Sequence, residues 1–312
     1  MTRVGIIDCG TNTFNLLVAE VDENGAWKAV FSNKIAVKLA PSPTTGLIGK
    51  NRFARGIDAL YVHLNNLVNL NVPVYVAYAT SGIREAGNGL EFTDTVKKLL
   101  GLEIQVISAD REAELIFKGI KQFVPLGEEP SITMDIGGGS VEFIIGNCDG
   151  IFWKQSLMIG VSRLKGMLRP SNPMTAEEQI ATEKFLSEQL AEAIEMCHKH
   201  EVKTLIGASG SFDSISQMLG LRGDIGDEVE RSIPLGKFDS LHQRLLRSTL
   251  DERLAMQGLV PMRADMIVMA TMLIKALIKG AELSSIQHSE YALKEGALLE
   301  MIEQHLAVWN EN

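Results

Sequence analysis

One pattern occurs twice in this chain, first from Asp8 and again from Asp135, an offset of 127 residues. Each copy is an apolar segment, an Asp, a glycine-containing turn that ends in a hydroxyl residue, and a second apolar segment. The copies read Asp8-Cys9-Gly10-Thr11-Asn12-Thr13 and Asp135-Ile136-Gly137-Gly138-Gly139-Ser140. Apolar runs on both sides of a tight turn predict a β-hairpin. Two such hairpins in 312 residues predict a duplicated domain.

The two turns have the chemistry of an anion cradle. Glycine lets backbone amides approach a phosphate closely, and hydroxyl and amide side chains add donors. Asp8 and Asp135 end apolar segments, where a carboxylate needs a partner, and a hydrated Mg²⁺ that bridges to phosphate oxygens is a suitable one. The predicted phosphate-binding residues of the turns are Gly10, Thr11, Asn12, Thr13, Gly137, Gly138, Gly139 and Ser140. A single Asp-Gly turn is common in ordinary hairpins, so the prediction rests on the matched pair.

Glu142 occupies, in the second copy, the place that Asn15 has in the first. It lies two residues beyond Ser140 and therefore on the same side of its strand. An acid between apolar neighbours at this point predicts an inward carboxylate near a metal ion. The alternative is a solvent-facing residue on an alternating strand.

Ala79–Arg84 reads as a strand end, a hydroxyl-rich turn that contains Ser81, and a helix start. Arg84 falls in the first helical turn, where the helix dipole disfavours a cation. An anion would explain it, because the arginine fork suits phosphate. The alternative is a salt bridge between Arg84 and a nearby carboxylate.

Two more segments follow strands and open helices. In Ser108–Glu114, Asp110 can cap the helix and Glu112 favours its dipole, which is a complete structural explanation. Its position favours a functional role for Glu112, since strand ends on one side of a sheet converge on one cleft. In Leu205–Ser211, the small-residue turn with Ser209 favours an anion, and the alternative is a plain tight crossover.

Composition limits the classes of function. The chain is 46% hydrophobic with a net charge of −9, so nonspecific nucleic-acid binding is not expected. The apolar runs are too short to span a bilayer, and no signal peptide is visible. The sequence therefore predicts a cytoplasmic protein without a membrane anchor. Cys9, Cys148 and Cys197 are expected to be reduced, buried thiols. From Lys28 to Ile57 there are cations but no Asp or Glu. This indicates either a binding-site entrance that attracts a polyanion or a strand face whose lysines are solvated.

Apolar strands alternate with amphipathic helices through both halves, which predicts an α/β fold of mixed sheets flanked by helices. The predicted boundary lies in a hinge at Val124–Pro130. It gives an N-terminal domain of residues 1–124 and a C-terminal domain of residues 125–312. The C-terminal helix, at about 297–312, is expected to pack back on the first domain.

The ordered set of motifs resembles the exopolyphosphatase / guanosine pentaphosphate phosphohydrolase family of the actin-like ATPase superfamily. The matching segments are Asp8–Thr13, Ala79–Arg84, Ile107–Ala113, Asp135–Glu142 and Tyr291–Leu298. The resemblance implies duplicated RNase H-like domains with the active site in the interdomain cleft. It also implies removal of a terminal phosphate from inorganic polyphosphate or guanosine pentaphosphate with Mg²⁺, for which Mn²⁺ is a possible substitute.

By the same resemblance, Glu112 is the catalytic base and Arg84 contacts phosphate. Asp135 and Glu142, with Asp8, hold the metal and position water. The family often has an acid where this chain has Arg111. Longer members carry an additional helical domain, so a preference for short polyphosphates is expected here, and paired chains make a homodimer a possibility. Two alternatives remain open: a nonhydrolytic sensor of guanosine alarmones, with Arg111 marking lost catalysis, and a small-molecule kinase of the same superfamily.

Overall fold

Two five-stranded sheets repeat one strand order in the computed structural model, which describes residues 1–221 and 231–310. The first sheet runs β3-β2-β1-β4-β5 and the second runs β8-β7-β6-β9-β10. In each, the three leading strands pair antiparallel and the last two join in parallel. The predicted fold class, a duplicated α/β fold with mixed sheets flanked by helices, is confirmed.

The first compact unit comprises Met1–Gly119, Gly137–Gly139 and Ala292–Asn312. Its strands are β1 Thr2–Cys9, β2 Thr13–Val21, β3 Trp27–Ala36, β4 Val74–Ala79 and β5 Ile104–Val106. Its helices are α1 Lys50–Asn69, α2 Ser81–Arg84, α3 Gly89–Leu100, α4 Ala109–Phe123, which crosses the unit boundary, and α12 Leu293–Asn310. Its core lies between the first sheet and helices α1 and α3, around Phe14, Leu60 and Phe92.

The second unit comprises Ile120–Ile136 and Ser140–Tyr291. Its strands are β6 Ser131–Ile136, β7 Val141–Gly146, β8 Ile151–Leu157, β9 Thr204–Ala208 and β10 Ser285–Ser289. Its helices are α5 Val161–Leu168, α6 Ala176–Gln189, α7 Ala191–Lys199, α8 Ser209–Met218, α9 Leu235–Arg247, α10 Leu250–Leu254 and α11 Ile267–Gly280. The apolar helix α11 packs against α5, α6 and α9, and its methionines lie in the core.

The predicted domain boundary at residue 124 and the predicted cleft location of the active site stay predictions. Residues 222–230, which belong to the predicted C-terminal domain, lie outside the described residues. The same holds for the last two residues of the predicted helix at 297–312. Within the described part of the chain, no helix has the length and apolar character needed to cross a membrane.

The structure corrects two sequence predictions. The single helix expected from Thr175 to His200 is two helices that meet at Leu190, a fully buried residue at a point where the sequence has neither Gly nor Pro. Its start was predicted correctly, since Thr175 and Glu178 form a capping box. Cys148 is exposed because it lies in the turn between β7 and β8, whereas Cys9 and Cys197 are buried.

His242 on α9 makes the stability of the protein depend on pH. It is 4% exposed and stacks on Phe238. Burial, and next the ammonium of Lys275, lower its pKa to about 4 although Asp239 opposes the shift. The unfolded chain, whose histidine titrates near its ordinary value, therefore binds more protons between pH 6.5 and 4.

We expect His242 to cost the folded state roughly 3 kcal/mol as the pH falls from 7 to 4, because each pKa unit corresponds to about 1.4 kcal/mol. Urea unfolding at pH 7.5 and 4.5 measures the loss, and His242→Leu should show a correspondingly smaller one. His200→Leu, at a partly exposed histidine, is the control. An equal loss in wild type and His242→Leu would contradict the prediction.

Candidate active site

The first predicted turn is a β-hairpin turn between β1 and β2. Asp8 pairs with Asn15 and Cys9 with Phe14 in antiparallel register, and the amide of Gly10 donates to the carbonyl oxygen of Thr13 over 3.1 Å. The hairpin that the sequence predicted here is confirmed.

Residues 37–39, for which the sequence suggested no role, orient the peptide groups of this turn. The amides of Val37 and Lys38 donate to the carbonyl oxygen of Asn12, over 2.8 and 3.0 Å, and the amide of Leu39 donates to that of Thr11 over 2.6 Å. In a planar trans peptide the N–H points away from the C=O. The N–H groups of Asn12 and Thr13 therefore point away from residues 37–39, as an anion cradle requires.

Side chains of two other turns lie directly against the glycines of the second turn within the first unit. A methyl group on Gly138 would lie 2.5 Å from Nδ2 of Asn12. A methyl group on Gly139 would overlap Oγ of Ser81 and lie 2.9 Å from Oγ1 of Thr11. Five predicted phosphate-binding residues, from three separate segments, are thus brought together.

The other predicted phosphate-binding residues have separate positions. Gly10 and Thr13 belong to the first turn, and Gly137 precedes the two glycines just described. Ser140 is buried directly before β7. Ser209 begins α8 in the second unit with a φ of +67°, an uncommon backbone conformation for a residue with a side chain.

Glu112 and Arg84, the predicted base and phosphate contact, touch each other. Nη1 of Arg84 donates to Oε2 of Glu112 over 2.8 Å and to the carbonyl oxygen of Ile107 over 3.0 Å, and Nε donates to Glu85. Glu112 is only 6% exposed. The alternative that the sequence offered for Arg84, a salt bridge to a carboxylate, is therefore realised in this structure, and it places the guanidinium on the candidate base.

The start of α4 differs from the sequence prediction. The hydroxyl of Ser108 accepts from the amide of Arg111 over 3.1 Å, and its carbonyl oxygen accepts from the amide of Glu112 over 2.9 Å. Ser108 is therefore the capping residue, and Asp110 lies inside the helix. Serine is a good N-cap, so the helix begins two residues earlier than it would with Asp110 as the cap.

The second predicted hairpin places two acids opposite each other. Asp135 on β6 pairs with Glu142 on β7, and both side chains are buried. The inward carboxylate predicted for Glu142 is confirmed, and the hydroxyl of Ser156 donates to it over 2.9 Å. Residues directly opposite in an antiparallel pair lie on one face of the sheet, where like charges repel. This position therefore favours a nearby cation.

The first hairpin has the same register with different chemistry. Nδ2 of Asn15 donates to Oδ2 of Asp8 over 2.8 Å. Burial raises the pKa of Asp8, and the bond from Asn15 and the ammonium groups of Lys294 and Lys34 oppose that shift. The carboxylate of Asp8 thus accepts a hydrogen bond from a neutral amide, whereas Asp135 faces a second acid.

This donor set fits Mg²⁺, which binds through one or two carboxylates and keeps several waters. Asp135 and Glu142 supply two carboxylates on one face of the second sheet. Asp8, the third predicted ligand, belongs to the first unit, and its role stays a prediction. Within the described residues, no three His, Cys, Asp or Glu side chains group closely enough to form an all-protein metal cage.

Arg263 is a charged neighbour that the sequence analysis missed. A methyl group on Gly210, in the first turn of α8, would overlap its guanidinium. Burial lowers the pKa of Arg263, whereas the negative charges of Asp213 and Asp135 raise it. Arg263 ends a single 3₁₀ turn, Pro261–Arg263, and no local pattern in the sequence marks it as a neighbour of these acids.

Helix α12 anchors the helix that carries Glu112. A methyl group on Gly296 would overlap the carbonyl oxygen of Leu115, so the two backbones are in direct contact. At the start of α4, the guanidinium of Arg111 is bonded to Glu300 on α12 and also lies 3.6 Å from Glu114. Arg111 thus binds a side chain of α12, while Glu112 keeps its own contact with Arg84.

We expect Arg111→Glu to lower the free energy of unfolding by about 1 kcal/mol or more, because it sets three carboxylates together in a half-buried place. Adding Glu300→Arg should recover at least half of the loss. Urea unfolding of both single variants and the double variant measures this coupling. The same cycle on Lys118 and Glu303, whose pair is more exposed, should show a smaller coupling, and equal couplings would contradict the prediction.

Comparison with known proteins gives consistent relatives. Residues 17–305 match the Ppx/GppA phosphatase family. The chain is 36% identical to a crystal structure of an exopolyphosphatase from Cytophaga hutchinsonii, with a TM-score of 0.91 over 97% of this chain and 98% of that one. It is 25% identical over 308 residues to Exopolyphosphatase 1 of Mycobacterium tuberculosis, which covers 96% of this chain and 88% of the relative.

A structure of the Aquifex aeolicus member of the same family, 23% identical, has a TM-score of 0.80 over 97% of this chain and 98% of that one, which supports the fold. The family match covers most of the chain, and the likeness to the Cytophaga enzyme extends over nearly all of it. The chain belongs to the Ppx/GppA phosphatase family.

Proposed function

We propose that this protein is a Mg²⁺-dependent phosphohydrolase that releases terminal orthophosphate from inorganic polyphosphate, from guanosine pentaphosphate, or from both. The observation that supports it most is the buried contact between Glu112 and Arg84 at the start of α4. It provides a carboxylate that can take a proton and a guanidinium suited to phosphate, side by side.

In the proposed reaction, water attacks the terminal phosphorus in line with the leaving oxygen. Glu112 accepts the proton of that water on a carboxylate oxygen. Its bond to Arg84 fixes the rotamer of the base, and the guanidinium, which has five N–H donors, can also bind an oxygen of the transferred phosphoryl group. General-base catalysis of this kind typically contributes 10²–10⁴-fold, so binding and charge stabilisation supply the rest.

The turns hold the phosphate oxygens in this proposal. The amides of Asn12 and Thr13 point away from residues 37–39, and the hydroxyls of Thr11 and Ser81 lie against Gly139. Preorganised donors of this kind need no rearrangement during the reaction, which is why they stabilise developing charge well. Ser140 and Ser209 are proposed as further phosphate contacts.

Asp135 and Glu142, with Asp8, would hold the metal. When bound, Mg²⁺, or Mn²⁺ in its place, would neutralise charge on the phosphate oxygens. The family's exopolyphosphatases make polyphosphate the first substrate to test, and tripolyphosphate, long-chain polyphosphate and guanosine pentaphosphate together compare the candidates, including the expected preference for short chains.

The two alternatives receive no specific support. The sensor was suggested by Arg111, but that side chain is bonded to Glu300 on α12 while Glu112 keeps its contact with Arg84. For a kinase, no described contact selects an acceptor over water. Phosphate release without an acceptor distinguishes the proposed hydrolase from both.

We expect Glu112→Gln to lower the turnover number at least 100-fold with substrate binding retained, because glutamine keeps the shape and loses the basic oxygen. Phosphate release and calorimetric binding of tripolyphosphate measure the two properties. Glu114→Gln, on the same helix and exposed, is the matched control and should keep turnover within about threefold. Wild-type turnover in Glu112→Gln would remove Glu112 from the mechanism.

We expect Asp135→Asn and Glu142→Gln each to raise the Mg²⁺ concentration needed for half-maximal activity at least tenfold, because each removes a charged oxygen ligand. Each should also weaken the rise in melting temperature that Mg²⁺ gives the wild type. Asp149→Asn, in an exposed turn of the same unit, is the control. An unchanged Mg²⁺ response in both variants would contradict the assignment.

A further inference from the structure

The second unit contains a cavity of about 110 Å³ that none of the candidate active-site residues lines. It lies between the connection from α5 to α6, helices α9 and α10, and the start of α11. Cavities lower stability because the residues around them lose packing contacts, and small apolar molecules can restore those contacts by binding. The apolar part of the wall consists of Met174, Leu246, Leu250, Val268 and Met269.

One charged residue of the cavity wall is deeply buried. Arg253 on α10 is only 6% exposed. Its guanidinium donates to the carbonyl oxygen of Ala264 over 2.7 Å, to Oδ1 of Asn172 over 2.9 Å, and to the carbonyl oxygen of Ser248. All three acceptors are neutral. These bonds therefore satisfy N–H groups of the arginine but leave its positive charge uncompensated, which is costly in a buried place.

The charged residues that line the cavity sum to one excess positive charge. They are Lys165, Arg253 and Asp265. Nζ of Lys165 lies 2.9 Å from Oδ2 of Asp265, so these two form a neutral pair. Burial lowers the pKa of Arg253, and the negative charges of Asp265 and Glu252 oppose that shift. A single bound anion would complete the charge balance.

The hydrogen bonds of Arg253 also tie three segments of the chain together, which is a structural reason for an arginine at this position. That reason does not account for the apolar cavity beside it, because a purely structural tie is best served by close packing. A buried cation next to an apolar wall is the combination that ligand sites typically offer.

We propose that this cavity binds a small monocarboxylate with an apolar body of about three or four carbon atoms. The carboxylate would meet the excess positive charge, for which the arginine fork is well suited, and the carbon chain would meet the apolar wall. The size follows from comparison with an apolar cavity of about 150 Å³, which holds benzene. Orthophosphate has no apolar part, and a guanosine nucleotide is larger than the cavity, so neither matches it. The proposal is independent of the proposed function.

Two methionines of the wall, Met174 and Met269, report on binding in NMR spectra of the full chain with methyl-labelled methionine. Butanoate should shift both signals in a saturable way and leave the signal of Met134, in the core of the second unit, unchanged. Butanamide has the same shape without the charge and should bind at least tenfold more weakly. The absence of a saturable shift at both methionines, or equal affinity for the two compounds, would overturn the proposal.

The charge balance is tested by Asp265→Asn, which keeps the shape of the side chain and removes the negative charge from the wall. We expect this variant to bind butanoate at least threefold more tightly. The matched control is Asp239→Asn, which breaks another Asp–Lys pair of the same unit, with Lys275, away from the cavity. The control should stay within about twofold of wild type. Unchanged or weaker binding in Asp265→Asn would contradict the proposal.

The location is tested by Leu250→Phe, which adds bulk at the half-buried edge of the wall and should abolish the butanoate shifts. Leu254→Phe, on the same helix but exposed and outside the cavity, should bind as wild type does. Undiminished binding in Leu250→Phe would place the ligand elsewhere and overturn the proposal. If Leu250→Phe does not fold, the butanamide comparison and Asp265→Asn still decide. Phosphate release enters none of these measurements, so a failure of the proposed function would be distinguishable.

Discussion

The close approach of Gly138 and Gly139 to Thr11, Asn12 and Ser81 is the constraint on which the rest of the site depends. A methyl group at either glycine would press into hydroxyl or amide side-chain atoms of the other turns, which would have to move. Backbone amides and short hydroxyls therefore occupy one small volume. This arrangement suits a phosphate, whose oxygens need several donors from different directions.

Duplication supplied two hairpins of one register, and the chemistry of the two has diverged. Asp8 faces Asn15, and the amide satisfies the carboxylate locally. Asp135 faces Glu142, so two buried acids lie on one sheet face, and Arg263 is a positively charged neighbour of Asp135. The two copies thus share one hairpin register, whereas the acid pair that suits a metal occurs in the second.

The sequence predicted well what depends on local pattern and poorly what depends on distant contacts. The hairpins, and the inward direction of Glu142, follow from strand alternation and glycine placement. The break at Leu190 was missed because the helical pattern continues through it, and Ser108, not Asp110, caps α4. Arg263, and the bond from Arg111 to Glu300, could not be predicted, since their partners lie far away along the chain.

The backbone contact between Gly296 and Leu115 has a consequence for biosynthesis. The first unit includes Ala292–Asn312 as well as Met1–Gly119, so its α12 contact forms only after the second unit between them has been synthesised. Until then α4 lacks its backbone contact and its ion pairs with α12. The helix that carries Glu112 is therefore completed by one of the latest parts of this sequence to be synthesised.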